Sequence, residues 1–161
     1  MKWLVAIGLM GLAFNSTAPA QRQIENLGRG LVAVRFEQEK VFVGWRLLGT
    51  DPESITFNVY READGGKRVK LNSKPIVEAT SFTDTQADLT KSNSYFVRAV
   101  LNGRERKESA AFTLPANSLV RQYLSVPLKT PEGYAPNDGS VGDLDGDGEY
   151  EFVIHQVGRG R

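Results

Sequence analysis

Five carboxylates fall within nine residues near the end of this 161-residue chain: Asp143, Asp145, Asp147, Glu149 and Glu151, with Gly146 and Gly148 between them. Carboxylates crowded on a short loop repel one another unless a hard cation takes their oxygens, and calcium (Ca2+) accepts about six to eight oxygen ligands at forgiving geometry. The series Asp143-x-Asp145-x-Asp147-Gly148 puts side-chain oxygens at loop positions 1, 3 and 5 and a glycine at position 6, where the chain must turn sharply. The backbone carbonyl of Glu149 then falls at position 7 and the carboxylate of Glu151 at position 9. Position 12 is Ile154, which offers no side-chain oxygen, so the loop is not an EF-hand. Residues 152–157, Phe-Val-Ile-His-Gln-Val, lack a helical period and read as a strand. The expected element is a calcium loop that opens a β-strand. A plain acidic turn is the bland alternative, but three aspartates at two-residue spacing with the glycine in place exceed what a turn requires.

Other groups could do chemistry. His155, the single histidine of the chain, follows three apolar residues, where a satisfied strand-end histidine is more common than a base or sugar ligand. Asp138, in Asn137-Asp138-Gly139, fits a turn as well as an extra ligand, while Arg159 and Arg161 could meet a carboxylate or simply be solvated. None of these is assigned a catalytic role.

The elements that must hold the loop are short strands. Residues 31–36, 41–48, 55–60, 68–71, 81–83, 94–101 and 108–113 alternate or nearly alternate apolar with polar side chains, and no helical segment intervenes. Gly49-Thr-Asp-Pro52, Asp64-Gly-Gly66, Lys91-Ser-Asn93 and Asn102-Gly103 supply turn chemistry between them; Asn-Gly favours a two-residue hairpin with positive φ at both positions. Seven such strands predict an antiparallel sandwich over residues 21–115 that resembles fibronectin type III. Trp45 is expected to fill its core, and Tyr95 to make a tyrosine corner whose hydroxyl bonds to the backbone near Leu89. After residue 115 the sequence predicts one more strand over residues 119–128, a Pro/Gly/Asn-rich loop over 129–142, the acidic loop and its strand.

Residues 1–20 have the layout of a secretory signal: Lys2, an apolar stretch too short to span a bilayer, and Ala18-Pro19-Ala20 as a cleavage pattern. Of the 20 Lys and Arg residues Lys2 is lost with that leader, leaving 19 against 19 Asp and Glu. A formally neutral chain carries no electrostatic footprint for nucleic acid or an anionic membrane. The absence of cysteine removes lipidation at an N-terminal cysteine and needs no disulfide framework. A secreted or periplasmic protein, monomeric and without a membrane anchor, is expected.

Four stretches together resemble the N-terminal part of rhamnogalacturonan lyases of polysaccharide lyase family 11: residues 25–34 (ENLGRGLVAV), 43–52 (VGWRLLGTDP), 57–61 (FNVYR) and 137–152 (NDGSVGDLDGDGEYEF). The resemblance implies a fibronectin-like β domain over residues 21–115, followed from residue 116 by the start of a calcium-binding β-propeller that this chain only begins. It also implies β-elimination on the pectic polysaccharide rhamnogalacturonan I, with Ca2+ as cofactor and a catalytic base beyond Arg161. A non-catalytic adhesion protein with FG-GAP-like calcium blades, or a carbohydrate-binding module, stands as the alternative; the module would need a row of exposed aromatics, whereas Trp45 and Tyr60 read as inward-facing.

Overall fold

The structure, a computed structural model, describes residues 27–158. The secretory leader expected over residues 1–20 lies outside the described residues, as do Arg159 and Arg161. Among the described residues ten strands carry the fold: β1 (Val32–Glu37), β2 (Lys40–Gly44), β3 (Thr56–Ala63), β4 (Arg68–Lys70), β5 (Ser81–Asp84), β6 (Asn93–Leu101), β7 (Arg104–Glu108), β8 (Phe112–Leu114), β9 (Tyr134–Gly142) and β10 (Glu151–Gly158). Among the described residues no helix is long and apolar enough to cross a membrane.

The first eight strands make the sandwich. One sheet has the order β1-β2-β5; the other runs β4-β3-β6-β7, with β8 also paired to β6. Because β7 and β8 border successive halves of β6, they are one broken edge strand. Ser109 bridges the break by donating its backbone N–H to Val97 O and accepting the Val97 N–H on its hydroxyl. The placement of β4 beside β3 gives the three-plus-four arrangement of a fibronectin type III-like sandwich.

Alternation decides which side chains meet. Phe57 and Val59 on β3 lie opposite Ala99 and Val97 on β6, and all four turn inward with Leu31, Ala33, Val41, Val43, Trp45 and Tyr95. Trp45 meets Phe57 edge to face, with ring centroids 5.4 Å apart. On the opposite face of the same pair of strands, Tyr60 stands directly across from Phe96 and stacks on it at 5.3 Å. Arg68 covers the Phe96 ring and Arg98 the Tyr60 ring, while Glu62, Glu105 and Glu108 pair those guanidiniums. Aromatic surface that would otherwise be wet is thus roofed by arginine stems.

The expected hairpin at Asn102-Gly103 is present, with φ of 52° and 73°. Five other expectations need correction. The second strand ends at Gly44 rather than residue 48, because the Arg46 N–H leaves the sheet to bond Arg29 O and Asp51 accepts the Leu48 N–H. The last sandwich strand, expected as 108–113, is two pieces, and the first of them (Arg104–Glu108) is wholly charged. Residues 119–128, expected as a strand, pair with no ladder and bend at residues 122–123; Arg121 N to Arg35 O ties this stretch to β1. The loop expected over 129–142 contains β9, which tolerates Pro136 because the register shifts there, between Ile154 and Gln156. The Tyr95 hydroxyl does not reach the backbone near Leu89. It donates to Asp84 Oδ2 at 3.1 Å, and the Leu89 carbonyl instead accepts the Asn117 N–H.

Candidate metal centre

The acidic loop joins β9 to β10, an antiparallel pair running from Gly142↔Glu151 to Tyr134↔Gly158. Its shape follows from its own aspartates. Asp143 accepts the Gly146 N–H on Oδ1 (2.8 Å) and the Gly148 N–H on Oδ2 (3.1 Å); Asp145 Oδ1 accepts the Asp147 N–H, and Asp147 Oδ1 the Glu149 N–H. These Asx-type turns wind the chain tightly enough that Gly146 and Gly148 take φ of 79° and 93°, a region where a Cβ would be strained. Glu151 closes the coil from the far side by accepting the Leu144 N–H at 2.7 Å.

That winding brings one carboxylate oxygen each from Asp143, Asp145 and Glu151 within 4.8 Å of one another. Hard oxygen donors at this spacing, with free lone pairs and peptide carbonyls in the same loop, fit a calcium-sized cation and offer nothing a soft metal would prefer. The other two carboxylates of the sequence reading, Asp147 and Glu149, lie outside this group. For Glu149 the expected ligand atom is the backbone carbonyl, and its side chain is engaged elsewhere: Oε2 lies 3.9 Å from Arg46 Nη1.

Arg46 is a neighbour of the loop that sequence reasoning missed. Its guanidinium sits 4.2 Å above the Tyr150 ring, and its Nη1 donates to Gly28 O. Gly28 in turn donates its N–H to Gly148 O at 2.6 Å. No local signal announces this contact, since Arg46 and Glu149 are more than a hundred positions apart; but Gly28, Arg46 and residues 148–150, which lie in three of the stretches that carry the family resemblance, meet here. Beside them Arg29 grips Asp51 with both Nη atoms, at 2.5 and 2.8 Å, and lies over the Phe57 ring, which fixes the platform that presents Gly28 and Arg46. The Arg29 hydrogen bond is the main cause holding the Asp51 carboxyl below the ordinary carboxylate range.

His155 falls at the β9–β10 bulge, where the register passes from Ile154 to Gln156, and is exposed; Asp138 accepts from the neighbouring Asn137 amide. The structure brings neither into the carboxylate group.

The model of the rhamnogalacturonan I lyases beta-sheet domain matches residues 22–114. This chain belongs to the rhamnogalacturonan I lyase family. Two curated relatives come from Bacillus subtilis (strain 168): the rhamnogalacturonan exolyase YesX, 45% identical over 146 residues, and the rhamnogalacturonan endolyase YesW, 42% identical over 145. Each alignment covers 84% of this chain, which spans about a fifth of the relatives' length, 22% and 21% respectively. The solved structure of the Bacillus licheniformis rhamnogalacturonan lyase PL11 superposes with a TM-score of 0.68 at 48% identity, over 84% of this chain and 23% of that one. The likeness to this lyase therefore extends beyond the sandwich, which alone is matched by the family model.

Proposed function

We propose that this chain is the N-terminal part of an exported, calcium-dependent lyase that cleaves rhamnogalacturonan I by β-elimination. The observation that carries the reading is the match of residues 22–114 to the β-sheet domain of rhamnogalacturonan I lyases. In this reading the sandwich is a non-catalytic support. Its candidate sugar platforms argue for that role: Trp45 is buried in the core, and Tyr60 is stacked on Phe96 and covered by Arg98.

The hairpin β9–β10 opens the catalytic domain, proposed as a β-propeller. A two-stranded ribbon is marginal by itself in water, and Tyr134, Val141, Phe152, Val153 and Val157 all stand exposed on this one. They are the apolar surface against which further strands of the same polypeptide would pack. Asp143, Asp145 and Glu151 would hold the cation, together with the Glu149 carbonyl. When bound it supplies positive charge that neutralises the crowded carboxylates, a structural role.

The chemistry asks for a base to remove the weakly acidic C5 proton of a galacturonate. The electron pair then forms the C4–C5 double bond as the C4–O4 bond breaks, and O4 leaves with the attached sugar and takes up a proton to become a hydroxyl, with charge on the adjacent carboxylate stabilised in the transition state. That base is placed in the larger catalytic domain.

The test is a spectrophotometric assay of the full-length protein on rhamnogalacturonan I with calcium. Elimination leaves a double bond conjugated with the carboxylate, so an ultraviolet signal should rise, and it should be absent for residues 21–161 alone. Binding of the polymer without any conjugated product would replace the lyase with the adhesion or carbohydrate-binding reading. Export is checked by the intact mass of secreted material, which should begin at Gln21.

A further inference from the structure

We propose that Gly28 and Arg46 of the sandwich set the affinity of the acidic loop for its cation, so that metal binding and docking of the loop on the sandwich are one coupled equilibrium. The inference rests on the reading of the loop as a calcium site and deepens it.

The contact falls inside the ligand set. Gly148 is buried and gripped from two sides: its N–H by Asp143 Oδ2, a candidate ligand, and its carbonyl by the Gly28 N–H at 2.6 Å. Arg46 holds the next two residues, pairing with Glu149 and stacking on Tyr150, which directly precedes the ligand Glu151. Residues 148–150 link the turn of aspartates to Glu151, so fixing them fixes the distance between the two halves of the site.

Gly28 is a glycine because of this approach and not because of its backbone, whose φ is not positive. A Cβ there would meet Glu149 Oε1 at 2.5 Å and Gly148 O at 3.2 Å. The carboxylate can swing away; the peptide carbonyl must give by a few tenths of an ångström. A loop already ordered by the sandwich loses less conformational entropy when it closes on a cation, and by linkage the cation must strengthen the docking by the same factor.

Arg46 also brings positive charge, which by itself opposes a second cation. Its removal therefore separates two roles: a clamp lowers affinity when lost, a repelling charge raises it.

The experiment titrates the full-length protein with calcium by calorimetry and with terbium, whose luminescence Tyr150 can sensitise from within the loop, for wild type, Gly28→Ala, Gly28→Val, Arg46→Met and Asp145→Asn. Gly28→Val should weaken loop binding about tenfold, with Gly28→Ala and Arg46→Met weaker by about two- to threefold. Each Gly28 and Arg46 variant should lower the melting temperature more in calcium than in excess chelator, because the loss of cation affinity adds to the loss of the docking contacts only when the cation is present. In the reciprocal direction, calcium should slow hydrogen exchange of the Gly28 amide in wild type and not in Asp145→Asn. Wild-type affinity in both Gly28 variants, or raised affinity in Arg46→Met, overturns the coupling while leaving the calcium site intact. A terbium signal unaffected by Asp145→Asn removes the calcium reading itself. Should Gly28→Val not fold, Arg46→Met and the exchange of Gly28 decide.

Discussion

Truncation of Asp84 should destabilise the sandwich far more than loss of the tyrosine hydroxyl it accepts, and the difference tests where the corner is anchored. Asp84 ends β5 with only 2% of its side chain exposed. Its Oδ2 takes hydrogen bonds from Arg61 Nη1 (2.5 Å) and Tyr95 Oη (3.1 Å), and its Oδ1 takes the Gln86 N–H (2.9 Å). Asp84→Ala strips all three donors at once. The Arg61 side chain, 14% exposed, is left largely desolvated without an anion, and the fully buried Tyr95 is left with its hydroxyl lacking an acceptor.

Removing one partner of a buried ion pair costs about 3 to 5 kcal/mol, and an orphaned buried hydroxyl about 1 to 3. Because Arg61 can turn partly toward solvent, the two do not add in full, and about 4 to 5 kcal/mol is expected. Tyr95→Phe leaves the Arg61–Asp84 pair whole and removes one donor to a charged acceptor, about 1.5 to 2 kcal/mol. Against a typical domain stability of about 5 to 15 kcal/mol, the first change removes from about a quarter to nearly all of it, and the second at most about half as much as the first. The assay is urea denaturation of residues 21–161 followed through Trp45, the one tryptophan in that span. Equal costs for the two variants, or a larger one for Tyr95→Phe, would return the hydroxyl to a backbone acceptor and refute the ion-pair anchor. An independent sign is spectroscopic: burial first, and then the Asp84 charge, push the Tyr95 phenol far above its ordinary range, so it should not ionise before the domain unfolds in alkali.

Three further outcomes are expected. Trp45→Ala empties a core position against Phe57 and should cost about 3 to 5 kcal/mol, measured by thermal melting; an unmoved transition would contradict the packing. Asp51, whose carboxyl is held low chiefly by the Arg29 hydrogen bond, stabilises the fold above its unfolded value of about 3.9 and loses that contribution as pH falls through the lower folded value. Wild type should thus keep a constant advantage over Asp51→Asn above about pH 5 and lose it below about 3.9, and a gap that persists through the acid limb would rule this out. Chelation or Asp145→Ala should speed amide exchange in β9 and β10 and leave β6 protected; the reverse pattern would place the cation elsewhere.

How far the chain could be read in advance depends on where apolar side chains carry the signal. The inward alternation of Phe57-x-Val59 and Tyr95-x-Val97-x-Ala99 announces β3 and β6, and Asn102-Gly103 announces the hairpin after them. β7 is silent because Arg104–Glu108 is an exposed edge whose only duty is to pair its backbone and present charges, the usual defence of an edge strand. The error at residues 119–128 is the mirror case. Its apolar side chains look like a strand, yet Leu119, Tyr123 and Leu124 are exposed and no neighbour offers a ladder. β9 was hidden by Pro136 and Asn137-Asp138-Gly139, residues that elsewhere make loops and here sit at a bulge. The candidate ligands were legible because their spacing is local. Their clamp was not, since Gly28 and Arg46 become neighbours of the loop only after the sandwich forms.

The electrostatics of the loop explain why that clamp matters. Three carboxylates within 4.8 Å of one another repel by roughly 1 kcal/mol per pair even at the dielectric of water, so about 2 to 3 kcal/mol opposes the coil before any cation arrives. The Asx hydrogen bonds that wind it are exposed except the one to the Gly148 N–H, and they net about 1 kcal/mol each at best. A lone hairpin has little reserve to hold such a shape. On that proposal Gly28 and Arg46 supply it from outside, one through a hydrogen bond to the carbonyl of buried Gly148 and the other through a cation set over Tyr150 and beside Glu149. The same five acidic residues thereby divide their labour: Asp143, Asp145 and Glu151 converge to within 4.8 Å of one another at the proposed cation position, the Asp147 carboxylate shapes the backbone, and the Glu149 side chain lies beside Arg46 of the domain that precedes it.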